Sequence, residues 1–326
     1  MFEIASTHRK KWDATRGRRQ PITLVPVARG ALKGKRIFTM GSCFALEIRH
    51  QMAALGFDTY PKYFDIAVDP SQAMIGKLPM RDNINHYNIS SILQEFENIE
   101  RPVILPDYFI DLSRYDSFAK HLRLFVRTIR KGLEGNERRF TARWQDPFRK
   151  QCYSTQRDIL ASLSSAVTEK IREGAAKADI FIFTLGMTET WVDKVSGLTV
   201  CNSYGAQVDE ELFDFVDLSI ADTTAKIDRL ISLVRTINPD ADIIFTVSPI
   251  PLERTAKNES VVVANAGSKA KQRGAISEIV AKHDGVFYFP SYEFAQRPEF
   301  YTDDGRHPAP AEVGEIIKAF MGWYEG

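Results

Sequence analysis

Apolar residues along this chain fall into two kinds of run, and the two kinds alternate. Ile37, Phe38, Thr39 and Met40 form a short apolar, partly β-branched run that predicts a buried strand. From Phe44 to Leu55 the apolar positions return at helical spacing (Phe44, Ile48, Met52, Leu55), and Gly56 stands where a helix C-cap belongs. FDTYP reads as a weaker second strand, and SSILQEFENI as a short helix with Ile92, Leu93, Phe96 and Ile99 inward. Asp158 to Lys177 predicts a long helix through Leu160, Leu163, Val167 and Ile171. ADIFIFTLG and DADIIFTVSPIP are nearly continuous apolar runs, as expected of strands covered on both faces. Between them TTAKIDRLISLVRTINP predicts a helix, with Pro239 just beyond its end. SKAKQRGAISEIVAKHDG then gives a helix, VFYFPS a strand and APAEVGEIIKAFMGWY a last helix. The stretch from about 101 to 157, rich in aromatic and basic residues, interrupts this order with two helical fragments and reads as a helical insertion.

Alternating helices and buried strands specify an α/β fold, a parallel sheet wrapped by helices. The expected organisation is an N-terminal basic extension over 1–35, holding Arg9, Lys10, Lys11, Arg16, Arg18 and Arg19, followed by one large domain over 36–326. The 326 residues are 44% apolar and 26% charged, which permits a sizeable core. Forty-three basic side chains against forty-two acidic ones give no global reason to expect a nucleic-acid partner. Cys43, Cys152 and Cys201 lack paired spacing, so neither a disulfide framework nor a zinc site is expected. His50, His86, His121 and His283 likewise lack partners at metal-ligand spacing. No glycine-rich phosphate loop is visible, so no cofactor is expected. No apolar run is long enough to span a membrane, and the first residues lack the apolar segment of a secretion signal, so a cytoplasmic location is expected.

In parallel sheets, functional groups gather at the carboxyl ends of the strands. Ser42 follows the first strand and opens the first helix. Gly186 follows IFIFTL, and Ser248 follows IIFTV. Late in the chain, FYTDDGRHPAP places Asp304 and His307 three residues apart, just ahead of the last helix. A hydroxyl, a carboxylate and an imidazole are the parts of an acyl-transfer site. Serine needs a neutral imidazole to accept its proton, and the imidazole needs a carboxylate to fix its tautomer. The tetrahedral oxyanion needs fixed donors, for which the Ser42 N–H at the helix start is one candidate.

GSCFA at Gly41 to Ala45 resembles the motif that names the GSCFA domain family. NHYNISSIL with Asn88, IFTLGMTETW with Gly186, NPDADIIFTVSPI, SKA, YFPSYE and FYTDDGRHP also look like that family, in the right order. The family in turn is similar to SGNH/GDSL hydrolases, which implies a flavodoxin-like, three-layer α/β/α sandwich. Carried over, Ser42 matches the nucleophile, Asp304 the orienting acid and His307 the base. SGNH enzymes usually have Asn two residues after the glycine of the third block. Here Thr188 stands there, so the oxyanion and substrate donors fall to Asn88, Gly186 and Thr188. The NCHK-like stretch of the family appears as NSYG at Asn202 to Gly205.

The expected activity is that of a serine esterase or O-acyltransferase on an acylated small molecule or glycan. The alternatives are a non-catalytic ligand-binding module and a thioester-dependent acyltransferase. Each residue also has a plainer role open to it. Ser42 can serve as a helix N-cap, Asp304 and His307 as a helix entry, Gly186 as a tight turn and Glu189 as a helix-start acid. Cys43 is a rival nucleophile that is expected to pack as a small buried side chain. Arg149, Lys150, Arg157, Arg297 and Arg306 are expected to be solvated charges, with an anionic substrate as their other use.

Overall fold

The computed structural model describes residues 24–75, 84–115, 142–150, 152–200, 211–296, 300–303 and 305–326. Five parallel strands form the central sheet: β1 (Arg36–Gly41), β2 (Asp58–Tyr60), β3 (Ile180–Leu185), β4 (Asp242–Val247) and β5 (Val286–Tyr288). Their spatial order is β5-β4-β3-β1-β2, the flavodoxin-like order, with the switch point between β1 and β3. In register, Ile37 pairs with Ile180 and Gly41 with Thr184.

Alternation along each strand sorts the core into two layers. Phe38, Met40, Phe181, Phe183, Ile243 and Phe245 face α2 (Ile89–Glu100), α3 (Arg157–Lys177), α4 (Ile220–Ile237) and α5 (Val261–Lys282). Ile37, Ile180, Ile182 and Ile244 face α1 (Cys43–Ala54) and α6 (Pro310–Glu325). The α/β/α sandwich expected from the alternation and the resemblance is therefore the fold. Among the described residues no helix is long and apolar enough to cross a membrane.

Three features depart from the sequence expectation. Helix α5 begins at Val261, seven residues before the predicted start, because Ser260 caps it by accepting the Val262 N–H. The intervening Val262 and Val263 are exposed, so the start carries no helical apolar face for a pattern to detect. Residues 24–35, assigned to the extension, pack on α6: Leu32 is fully buried, and the Val27 and Arg29 N–H groups donate to the carbonyls of Trp323 and Tyr324. Finally, the described part of the insertion holds two short 3-10 helices, Pro106–Tyr108 and Leu112–Tyr115, beside a small antiparallel sheet that the sequence did not predict. Residues 110–111, 144–145 and 153–154 pair there with 73–74. Residues 116–141 of the insertion lie outside the described residues.

A buried ionic cluster ties that small sheet to the main fold. Arg149, fully buried, donates to both Glu95 oxygens at 2.8 and 2.6 Å and to Thr168 Oγ1 at 2.7 Å, joining the insertion to α2 and α3. The expectation of a solvated Arg149 fails because these groups complete its fork inside the protein. Burial pushes the Glu95 carboxyl up, and Arg149 more than reverses the push, holding it below the usual glutamate value. Asp146, 3.9 Å from the same guanidinium, is raised by burial. Arg149→Ala would strand the Glu95 charge in the interior. It is expected to lower stability by about 3–5 kcal/mol, read from the urea midpoint at constant m-value.

Candidate active site

The site begins where β1 stops. Gly41 has φ +151°, and a Cβ there would lie 2.2 Å from the Thr184 carbonyl oxygen, so only glycine fits against β3. Ser42 follows as the N-cap of α1, its Oγ accepting the Phe44 N–H at 3.3 Å. Its own N–H donates to the Thr184 carbonyl at 3.1 Å, which engages the donor proposed from sequence. Ser42 is buried, and its hydroxyl donates to Ser248 Oγ, at the end of β4, at 2.9 Å.

Residues 84–88 cross over these strand ends. The His86 N–H donates to the Gly41 carbonyl, while the Tyr87 carbonyl accepts the Gly186 and Met187 N–H groups at 2.9 and 3.0 Å. A Cβ on Gly186 would sit 2.9 Å from that Tyr87 oxygen and 3.2 Å from Ser42 Cβ, so Gly186 lies against the serine. Its N–H, however, is engaged. Thr188 is engaged as well: its N–H donates to Ser268 Oγ at 2.7 Å and its hydroxyl to Asp217 at 2.6 Å. Asn88 differs. Its carbonyl oxygen caps α2 through the Ser91 N–H at 2.9 Å, and among the described residues its buried Nδ2 has no partner.

His307 is exposed, on a turn that packs against the residues after Ser248. Tyr301 donates to the Pro249 carbonyl, Arg306 pairs with Glu253 at 3.0 Å, and the Thr302 N–H donates to the carbonyl of His307 itself. The chain thus brings the histidine turn to the segment that carries Ser248. Ser42 makes its hydrogen bonds to Ser248 and Phe44, not to an imidazole. Asp304, Arg297, Cys201 and His121 lie outside the described residues, as do Asn202 to Gly205.

Other expectations resolve by geometry. Glu189 starts a strand (189–193) instead of a helix and accepts from Thr255 and the Ala256 N–H. Arg157 is half-buried and pairs with Asp107 at 2.6 Å. Cys43 is half-buried; its sulfur accepts from Asn85 Nδ2 at 3.2 Å and lies 3.6 Å from the Tyr87 hydroxyl. His86 has Glu95 at 3.7 Å, and burial lowers its pKa.

Sequence reasoning missed Lys269. It is 2% exposed, and its Nζ donates to the Gly186 carbonyl at 2.7 Å and the Ile250 carbonyl at 3.1 Å. It therefore joins the turns that follow β3 and β4, while its neighbour Ser268 holds Thr188. The SKA segment was visible as a motif, but nothing in its pattern marks this lysine as buried, since lysines are almost always exposed.

A family model, the GSCFA family, matches residues 36–320. The chain belongs to the GSCFA family. No curated protein matches it. Among solved structures, this GSCFA chain is similar to a carbohydrate esterase family 2 enzyme with a carbohydrate-binding domain from Corynascus thermopiles (Myceliophthora fergusii). That match has 17% identity and a TM-score of 0.27, covering 44% of this chain and 36% of that one. A family two carbohydrate esterase from Clostridium thermocellum, solved with cellohexaose, matches at 12% identity and a TM-score of 0.31, over 89% and 65%. A peptidoglycan O-acetylesterase matches at 14% and 0.30, over 49% and 42%. The chain spans less than two thirds of the length of each.

Burial draws the Lys269 pKa down from 10.5 to about 7. Between those values the unfolded chain holds a proton that the folded chain has released, so stability rises with pH through that window and falls as pH drops toward 7. Urea unfolding of wild type and Lys269→Met across about pH 7 to 10 checks this. The wild type is expected to gain stability relative to the variant as pH rises, and a constant difference contradicts the assignment.

Proposed function

We propose that this protein is a serine-dependent esterase or O-acyltransferase acting on an acyl ester, with a carbohydrate as the alcohol. The observation that carries the reading is Ser42: a hydroxyl fixed at the β1–α1 turn, on the carboxyl edge of the sheet, near a buried Asn88 amide with an unengaged donor. A buried donor left unpaired costs about 1–3 kcal/mol, a cost that a ligand oxygen removes.

In the proposed reaction Ser42 turns its hydroxyl from Ser248 to His307, whose turn rests on residues 249–253. The oxygen attacks the acyl carbon as the imidazole takes the proton, with Asp304 orienting the ring. Asn88 Nδ2 donates to the developing oxyanion. Collapse expels the sugar alkoxide, which recovers the proton from His307. Water or a second hydroxyl then resolves the acyl-serine, so esterase and transferase share every earlier step. Carbohydrate as the alcohol rests on the sequence resemblance to SGNH hydrolases.

A second reading, a ligand-binding module without turnover, is favoured by the Ser42–Ser248 hydrogen bond and by the engaged donors of Gly186 and Thr188. A fluorophosphonate separates the two. Wild type is expected to gain one adduct, located by mass spectrometry on Ser42, and Ser42→Ala none; an unlabelled folded wild type favours the binding module. Asn88→Ala is expected to lower turnover of p-nitrophenyl acetate or an acetylated sugar about a hundred- to a thousandfold. A change of less than about threefold would remove Asn88 from the oxyanion site.

A further inference from the structure

The insertion delivers a cation to the edge of the candidate site. Its small sheet turns between residues 145 and 153, and Arg149 within that turn is pinned by Glu95, Ser164 and Thr168. The next residue, Lys150, is therefore held in place by a neighbour that cannot move without breaking a buried ion pair. Lys150 Nζ donates to the Tyr87 hydroxyl at 2.6 Å. It lies 5.2 Å from the ring centroid, beyond the hydroxyl at the rim, so this is a hydrogen bond and not a charge over the ring face.

That hydroxyl is 3.6 Å from Cys43 Sγ, and Cys43 directly follows Ser42. Lys150 is half-buried, and among the described residues no carboxylate pairs with it. The first turns of α1 and α2, which start at this rim, contain no acidic residue either. A half-buried ammonium with no counter-charge beside it is placed to pair with an anionic group of a ligand. The unpartnered Asn88 donor, one residue from Tyr87, is a second group at this rim awaiting an acceptor.

We infer that Lys150 is a specificity-determining residue that pairs with an anionic group on the substrate, so that the preferred ester is borne by an acidic sugar (a uronate or a sugar phosphate) rather than a neutral one. This rests on the ester reading of the same site, and the test keeps the two apart. Binding is measured by calorimetry on Ser42→Ala protein, which cannot turn over, with three probes: an O-acetylated galacturonate oligomer, an O-acetylated sugar phosphate and an O-acetylated xylo-oligosaccharide. One of the acidic probes is expected to bind about tenfold tighter than the neutral one, and which of them does so identifies the anion. The preference is expected to shrink with added salt, to fall to about one in Lys150→Gln and to return in Lys150→Arg. Equal affinity for acidic and neutral probes, no binding of either acidic probe, or a preference that survives Lys150→Gln overturns the inference. Fluorophosphonate labelling of Ser42 in wild type is scored separately. A labelled serine with no charge preference sinks this inference alone, and a charge preference without labelling sinks only the ester reaction.

Discussion

Backbone meets backbone at the carboxyl edge of this sheet, with no side chain between. Residue 41 lies against the Thr184 carbonyl, and residue 186 lies between the Tyr87 carbonyl and Ser42 Cβ, so a methyl group at either position would fall inside contact distance. Two glycines make that approach possible, and much of the local geometry follows from it. β1 ends against β3, Ser42 is fixed as the first turn of α1 begins, and residues 84–88 are drawn across both strand ends by three backbone hydrogen bonds. The same approach engages the N–H groups of Gly186 and Met187. The tightness that positions the serine thus removes donors from its surroundings, while among the described residues the Asn88 amide nitrogen has no partner.

Two cations are buried near this edge by opposite means. Arg149 meets a carboxylate in a forked, charge-assisted pairing, and its position holds the small sheet of the insertion against α2 and α3. Lys269 meets carbonyl oxygens, with no carboxylate among its hydrogen bonds. The first arrangement keeps its charge at any ordinary pH, while the second sits where burial favours losing it. One therefore acts as a permanent clamp, and the other joins the turns that follow β3 and β4 through hydrogen bonds to carbonyls.

The fold was largely legible because its strands are buried on both faces and its helices carry clear inward stripes. IFIFTL and DIIFTV read as strands by continuity, and Ile227, Leu230, Ile231 and Val234 marked α4 by spacing. What escaped was structure without such a pattern. The two-residue strands at 144–145 and 153–154 are too short for alternation to register, and the first turn of α5 shows its valines to solvent. At the site, position along the fold placed Ser42, Gly186 and Ser248 at one edge, since residues following parallel strands share that edge, whereas Asn88 came from the family resemblance. Hydrogen-bond occupancy was not legible. Whether Gly186 or Thr188 keeps a donor free depends on Tyr87 and Ser268, which lie in the NHYNISSIL and SKA segments, but a motif does not say which distant groups its members bond. Lys269 escaped for the same reason.

Family resemblance begins at residue 36 and ends at residue 320, but the packing continues past both limits. Arg29 reaches Asp242 at the foot of β4 through a forked contact, Tyr324 donates to the same carboxylate at 2.6 Å, and the Leu32 N–H donates to Glu325. Trp323 and Tyr324 complete the layer of rings around Phe320. A fragment trimmed to the matched span would keep every motif and still leave Asp242 without either partner and one aromatic layer open to water. The unit that must be produced intact is wider than the unit that sequence similarity outlines.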